Sequence, residues 1–203
     1  MASKIMDLGD GCSVELLYGA VACTEEEFAV EMAAFPTERN PTVFNATTPR
    51  REVLYSTVPD TTYAFSQKVL RASVPSAVAA RCLRFARGPY KEKPLLACGV
   101  NAVLGNLYEN GKDYVGQHGD DEPEHEATQP IFGFSFGATR HFQIKRCDKG
   151  DVFDGKPILN IPLPHGSCVV MRGHRFQRLF THGIPKTAKV VGPRISFTAR
   201  VFA

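Results

Sequence analysis

Arg194-Ile195-Ser196-Phe197-Thr198-Ala199-Arg200-Val201 alternates residue by residue between a polar and an apolar set. Ile195, Phe197, Ala199 and Val201 fall on one face, and Arg194, Ser196, Thr198 and Arg200 on the other. That is the two-residue period of a strand with one face on a core. A solvated edge would accommodate the polar face, but two arginines on it suggest more. At about 3.3 Å per residue they stand roughly 20 Å apart along the strand. Their long side chains can lean inward to hold a small diacid between them, and arginine's planar fork pairs bidentately with carboxylate.

Upstream, Val103-Leu104-Gly105-Asn106-Leu107-Tyr108 alternates in the same way, with Asn106 and Tyr108 on one face, and runs into the turn signal Asn110-Gly111. Phe132–Phe136, His141–Lys145 and Ser167–Met171 read as further strands. The N-terminal half reads differently. Thr24–Phe35 is expected to be a helix, with Thr24 as N-cap, Glu27 completing a capping box and Pro36 ending it. A second helix is expected over Pro75–Ala86. Helices first and then many short strands indicate an α+β protein with an antiparallel sandwich or barrel as its core. No repeat, low-complexity tract or linker interrupts the 203 residues. One domain over 1–203 is expected, with helices and loops in 1–99 and the strand-built core in 100–203.

His118 and Asp120 follow the extended run Asp113–Gln117, and in a strand residues two apart share a face. By itself such a triplet also fits a solvated loop. A second imidazole downstream would complete the two-histidine, one-carboxylate facial triad of a non-haem ferrous ion, with its other positions open. His165, His174 and His182 compete for that place. His182 is preferred because it lies in the apolar run Leu179–Ile184. With Arg194 and Arg200 behind it, the set suggests an iron oxygenase fed by 2-oxoglutarate.

Composition is compatible with this. Hydrophobic residues make up 43% and charged residues 22%, as in ordinary globular proteins. No stretch approaches the roughly 20 apolar residues of a membrane span, and the first ten residues lack a signal peptide's apolar core. The six cysteines form no C-x-x-C pair, so free thiols in a reducing compartment are expected, which suits a ferrous site. An intracellular location, nucleus or cytoplasm, follows as an expectation. The net charge of +3 hides a polarity: residues 139–203 carry twelve Lys or Arg against three Asp. Arg140, Lys145, Arg146, Arg172, Arg175, Arg178, Lys186 and Lys189 contribute to it. Such an excess reads as a solvated basic surface or as a rim facing phosphates.

The ordered set Asn106-x-Tyr108, His118-x-Asp120-Asp121-Glu122, Ser135-Phe136-Gly137, His182 and Arg194-x-Ser196-x-Thr198-x-Arg200 resembles the AlkB family of Fe(II)/2-oxoglutarate dioxygenases, in particular its eukaryotic DNA-repair branch. The resemblance is clear over about residues 100–203. It is fainter through Pro49–Tyr55 and Tyr63–Ser66. It implies a double-stranded β-helix (jelly roll) braced by N-terminal helices, with Fe(II), 2-oxoglutarate and O2 as cofactor and co-substrates. His118, Asp120 and His182 would then be the iron ligands. Arg194 and Tyr108 would hold the far carboxylate of 2-oxoglutarate, and Asn106 and Arg200 would act near the metal end, beside Thr198. Where the family usually has asparagine this chain has Ser196. Serine is shorter and offers fewer hydrogen bonds, which implies a weaker or water-mediated hold. The implied reaction is oxidative removal of an N-methyl group as formaldehyde, with release of succinate and carbon dioxide.

The implied partner is alkylated DNA or RNA, met by a monomeric protein with no membrane attachment. In the family, the region of residues 40–66 forms a nucleotide-recognition lid. Arg50 and Arg51 belong to it here, and Val43-Phe44 is either a wedge that fills the gap of a flipped base or simply core. Glu122 stands where the family places a carboxylate beside a cationic base such as 1-methyladenine or 3-methylcytosine, and Tyr55 would contact that base. His141 either stacks on its other face or ends a strand. Lys186 and Lys189 would contact phosphates. The competing readings are an oxygenase of this fold acting on protein or lipid, and a jelly roll that binds nucleic acid without catalysis.

Overall fold

The computed structural model describes residues 2–41, 47–65, 68–88, 99–120, 130–147 and 156–201. In chain order the elements are β1 (Ser3–Gly9), β2 (Cys12–Leu17), α1 (Glu25–Ala34), β3 (Arg51–Ser56), β4 (Thr62–Phe65), β5 (Lys68–Arg71) and α2 (Ala77–Arg87). Next come β6 (Ala102–Tyr108), β7 (Val115–His118), β8 (Ile131–Gly137), β9 (Arg140–Arg146), β10 (Leu159–Leu163) and β11 (Ser167–Arg172). The chain closes with α3 (Phe176–Leu179), β12 (Phe180–Ile184) and β13 (Arg194–Arg200).

Two antiparallel sheets carry the molecule. The larger runs β1-β2-β11-β8-β13-β6-β3 and the smaller β10-β9-β12-β7. The alternation of β13 decides how they stack. Its apolar residues Ile195, Phe197 and Ala199 join Val103, Leu107, Phe132, Phe134 and Phe136 on the outer face of the large sheet, where Val78, Ala79, Cys82, Leu83 and Ala86 of α2 cover them. Its polar residues face inward. There the large sheet contributes Val14, Leu16, Tyr108, Val169 and Met171, and the small sheet Phe142, Ile144, Ile161, Leu163, Phe180 and Ile184, to a second apolar cluster. The result is a jelly-roll core with helices on one side, as the α+β reading and the family resemblance implied.

Helix α1 starts as its sequence dictates. Thr24 Oγ1 accepts from the Glu27 N–H at 3.2 Å, and Glu27 Oε2 accepts from the Thr24 N–H at 2.9 Å, satisfying two amides that have no partner within the helix. The same Glu27 carboxylate is forked by Arg81 of α2 at 2.8 and 2.7 Å, which ties the two helices together. Among the described residues no helix is long and apolar enough to cross a membrane.

One expectation is corrected: strands precede the helices. β2 pairs with β11 and carries β1 on its outer edge. Leu17 packs with the outer cluster and Leu16 with the inner one, so β2 is buried on both faces and lacks a readable polar side. Its one charge, Glu15, is buried against Arg172 at 3.2 Å.

Candidate active site

His118 ends β7 and His182 sits in the middle of β12, opposite it in register. Their rings lie 4.4 Å apart between centroids. Asp120 lies two residues past His118 but beyond the strand, so a turn and not the pleat brings it in. Two contacts with Gln177 of α3 shape that turn. The Asp120 N–H donates to Gln177 Oε1 at 3.0 Å, and a Cβ on Gly119 would sit 2.7 Å from the Gln177 carbonyl oxygen. The spacer between the two ligands therefore has no room for a side chain.

The ligand atoms of His118, Asp120 and His182 all lie within 4.8 Å of one another. Asp120 Oδ1 is 3.8 Å from His118 Nε2, and Asp120 Oδ2 is 3.5 Å from His182 Nε2. His118 Nδ1 is held by the Gly116 carbonyl at 2.9 Å, which turns its Nε2 toward the cluster. Burial, and then the neighbouring His182, push the His118 imidazole down to about 4, the neutral form that a metal needs. Burial alone would raise the Asp120 carboxyl. Arg200, with its Nη1 at 3.4 Å from Oδ1, and the two imidazoles outweigh it and hold Asp120 well below the usual carboxylate range. Asp120 Oδ2 and His182 Nδ1 are buried with no hydrogen-bond partner. Two imidazoles, one fixed anion and an unsatisfied carboxylate oxygen fit a divalent ion that keeps open positions. His165 drops out as a ligand, since its ring nitrogens are engaged by the Gly137 N–H and the Cys23 carbonyl. His174 is exposed and outside the cluster.

The triad opens into a pocket of about 670 Å³, counting its mouth. Asn106, Tyr108, Arg194, Ser196, Thr198 and Arg200 all line it, together with Arg50 and an apolar wall that includes Leu104, Phe142, Val169 and Ile184. Arg194 and Arg200 are each 2% exposed. Arg200 belongs to the metal end, through Asp120 and through Tyr63, whose phenol oxygen accepts from its Nη2 at 2.7 Å. Arg194 belongs to the closed end. Its Nε donates to Ser135 Oγ at 2.9 Å, its Cζ lies 5.1 Å from the centre of the Tyr108 ring, and its Nη1 is buried without a partner. Burial pushes its guanidinium down to about 10, so it stays charged at neutral pH. A carboxylate of a small diacid would satisfy that nitrogen, so the closed end fits 2-oxoglutarate as the triad fits iron.

A row of polar residues in register, Ser167, Ser135, Ser196, Asn106 and Glu52, crosses five neighbouring strands, and Ser196 and Asn106 of it line the pocket. Asn106 Oδ1 accepts from Arg50 Nε at 2.6 Å, leaving its amide nitrogen to donate into the pocket. Arg50 is in turn held by Glu52 at 2.9 Å, and Glu52 by Asn40 at 2.9 Å.

Several expected substrate contacts fall elsewhere. On β3 the inward residues are Glu52, Leu54 and Ser56, so Tyr55 points the other way. It is 4% exposed, packs edge-on to Phe197 at 6.1 Å, and has its phenol pushed up to about 12 by burial. It belongs to the core. Arg51 shares that parity and is ion-paired with Glu109. His141 is exposed on β9, whose inward residues are Phe142 and Ile144, so it neither stacks over the site nor ends the strand. Lys186 and Lys189 are exposed, Lys186 with its ammonium 4.6 Å from the centre of the Tyr114 ring. Arg140, read as part of a basic surface, is buried. Val43, Phe44 and Glu122 lie outside the described residues. Pro41 and Thr47, within the segment expected to form the lid, pair antiparallel. Tyr63 and Gln177 were missed. Tyr63 had a signal in the run Thr62-Tyr63-Ala64-Phe65, whereas Gln177 had none, its role arising from a contact between distant segments. Tyr63→Phe removes the phenol that steadies Arg200 behind a metal ligand. It is expected to lower turnover about tenfold with metal content unchanged, as measured by succinate release and metal analysis; undiminished turnover would show the contact to be idle.

The sequence profile of the 2OG-Fe(II) oxygenase superfamily matches residues 17–200. Human "DNA oxidative demethylase ALKBH2" is 36% identical over 102 residues, covering 49% of this chain and 39% of that protein. The Arabidopsis thaliana protein of the same name is 36% identical over 126 residues, 54% of this chain and 40% of its own length. Bos taurus "Alpha-ketoglutarate-dependent dioxygenase alkB homolog 3" is 39% identical over 104 residues, 49% and 36% respectively. The matched part of the chain thus spans about two fifths of these relatives' length. Among solved structures, "The structure of OsALKBH1" superposes with a TM-score of 0.61 over 98% of this chain and 100% of that one, at 15% identity, a likeness of fold alone. With the profile covering residues 17–200 and the triad and arginines lying within it, the chain belongs to the 2OG-Fe(II) oxygenase superfamily, and within it is similar to these AlkB homologues.

Proposed function

We propose that this protein is an oxidative demethylase that removes N-alkyl lesions, 1-methyladenine and 3-methylcytosine among them, from nucleic acid. One observation carries the reading: the His118–Asp120–His182 cluster, its Asp120 and His182 buried, opens into a pocket closed by Arg194, whose Nη1 lacks a partner. When bound, ferrous ion, 2-oxoglutarate and O2 supply an oxidant that hydroxylates the methyl carbon, while 2-oxoglutarate leaves as succinate and carbon dioxide. The chain's own work is placement. Asp120 and the two imidazoles present three ligand atoms on one side. Arg200 and Tyr63 fix the Asp120 carboxylate, and Asn106, Tyr108 and Arg194 orient the diacid. Leu104, Phe142 and Ile184 keep the pocket wall apolar and exclude water. The N-hydroxymethyl product then breaks its C–N bond: the electron pair returns to the ring nitrogen, the hydroxyl proton goes to solvent, and formaldehyde departs.

Arg50 is placed to meet the base or its phosphate, because it lines the pocket beside the lid. The exposed Lys186 and Lys189 would add a salt-sensitive hold on the backbone. The names of the relatives support DNA as the substrate class.

The test is formaldehyde and succinate release on a single-stranded oligonucleotide carrying 1-methyladenine, with Fe(II), ascorbate and 2-oxoglutarate, and Asp120→Ala as control. Stoichiometric release of both products, abolished by the substitution, is expected. Succinate without base repair would move the substrate to another class. Neither product from iron-loaded protein would overturn the reading.

A further inference from the structure

A second buried cation stands behind the closed end of the pocket, and among the described residues no carboxylate is ion-paired with it. Arg140 opens β9, is 3% exposed and does not line the pocket. Its guanidinium donates to three backbone carbonyls, those of Asn110 at 3.1 Å, Asp113 at 2.9 Å and Pro185 at 2.6 Å. Its Cζ lies 5.8 Å from the centre of the Tyr108 ring, the same ring that Arg194 approaches to 5.1 Å. The two charges are therefore within about 11 Å of each other. The Asp113 carboxyl acts on Arg140 through space but has its hydrogen bonds elsewhere. Arg39 forks it at 2.9 and 3.0 Å, and the Glu109 N–H donates to it at 2.8 Å. Among the described residues Arg194 has Ser135 Oγ and Tyr108 beside it. Among the described residues neither Arg140 nor Arg194 is ion-paired with a carboxylate. Carbonyl dipoles satisfy a guanidinium's hydrogens but leave its net charge in place, and a buried net charge is costly until an anion arrives.

We propose that Arg140 is a positioning residue that sets the charge selectivity of the co-substrate pocket: with Arg194 it makes the closed end demand the distal carboxylate of a five-carbon 2-oxo diacid, without touching that ligand. The proposal rests on the reading of this end as the distal-carboxylate site. A unit charge roughly 10 Å away, at an effective dielectric near 20, changes an anion's affinity by about an order of magnitude. A monoacid of the same length would leave both cations uncompensated. The alternative role is purely structural, since the three carbonyls lie in the segments 109–114 and 185–193, which Arg140 staples together.

The two roles separate in a binding experiment on Mn(II)-loaded protein without oxygen. Calorimetry would compare 2-oxoglutarate with 2-oxopentanoate, which keeps the keto acid and chain length and lacks the distal carboxylate. Arg140→Met is expected to weaken 2-oxoglutarate about tenfold and 2-oxopentanoate less than twofold. Arg140→Lys, which keeps the charge and loses the fork, is expected to retain the diacid preference to within about threefold. Equal weakening of both ligands, or an unchanged preference in Arg140→Met, would overturn the proposal. If Arg140→Met does not fold, Arg140→Gln, still a donor to these carbonyls, carries the same comparison. A wild-type protein that fails to bind 2-oxoglutarate would instead sink the underlying reading of the pocket.

Discussion

Asp120→Asn is expected to abolish 2-oxoglutarate-dependent turnover, a loss of at least about a thousandfold, while leaving a folded protein of reduced stability. Two effects coincide at this position. Among the described residues the ion would lose its one anionic ligand, and two imidazoles alone would hold a hard ferrous ion weakly. Arg200, 2% exposed and 3.4 Å from the carboxylate, loses that ion pair as well. Removing one partner of a buried pair costs roughly 3 kcal/mol or more, and here Tyr63 Oη remains to soften the loss. The combination is diagnostic. Mn(II) affinity measured calorimetrically should fall with turnover, and urea denaturation of the metal-free protein should show the Arg200 penalty by itself. Full turnover in the variant would exclude the triad as the metal site. Lost turnover with undiminished Mn(II) binding would place the ion elsewhere.

The largest effect on stability is expected at Phe197. Its side chain is fully buried, edge-on to Tyr55 at 6.1 Å and to Phe136 at 5.9 Å. The neighbouring strand meets it with Gly105, where even a Cβ would come within 3.0 Å of the Phe197 ring. The ring fills the space left by the missing side chain of Gly105, packed there with Val53 and Phe35. Phe197→Ala is expected to cost about 3–5 kcal/mol, a large share of the roughly 5–15 kcal/mol that holds a domain of this kind together. Urea denaturation measures it, and a loss below about 1.5 kcal/mol would mean that the core collapses into the gap. Because Phe197 alternates with Ser196 and Thr198 on the same strand, a slip in its packing would also disturb the pocket floor.

Much of the active site was legible because it resides on short-range geometry. β13 and β6 each put polar residues on one face and apolar residues on the other, and both polar faces do line the pocket. The capping box of α1 was equally readable, since its two bonds join residues three apart. The misreadings have one cause. A strand's period marks two faces without saying which is inside. Tyr55 was expected at the base and His141 either over it or at a strand end, and the structure places Tyr55 in the outer core and His141 on the outer surface. Arg140 shows the same blindness in charge: a count makes it part of a basic surface, whereas three carbonyls from two other segments hold it inside.

By itself the chain's order of residues determined the strand periods, the helix start, the ligand types and their spacing, because backbone geometry dictates these within a few residues. Tertiary structure alone decided four things: which face of each strand is inward, how β7 and β12 bring His118 opposite His182, that Gln177 shapes the turn carrying Asp120, and that β1 and β2 extend the large sheet. Each depends on register between segments far apart in the chain, where a shift of one residue would turn every side chain to the opposite face.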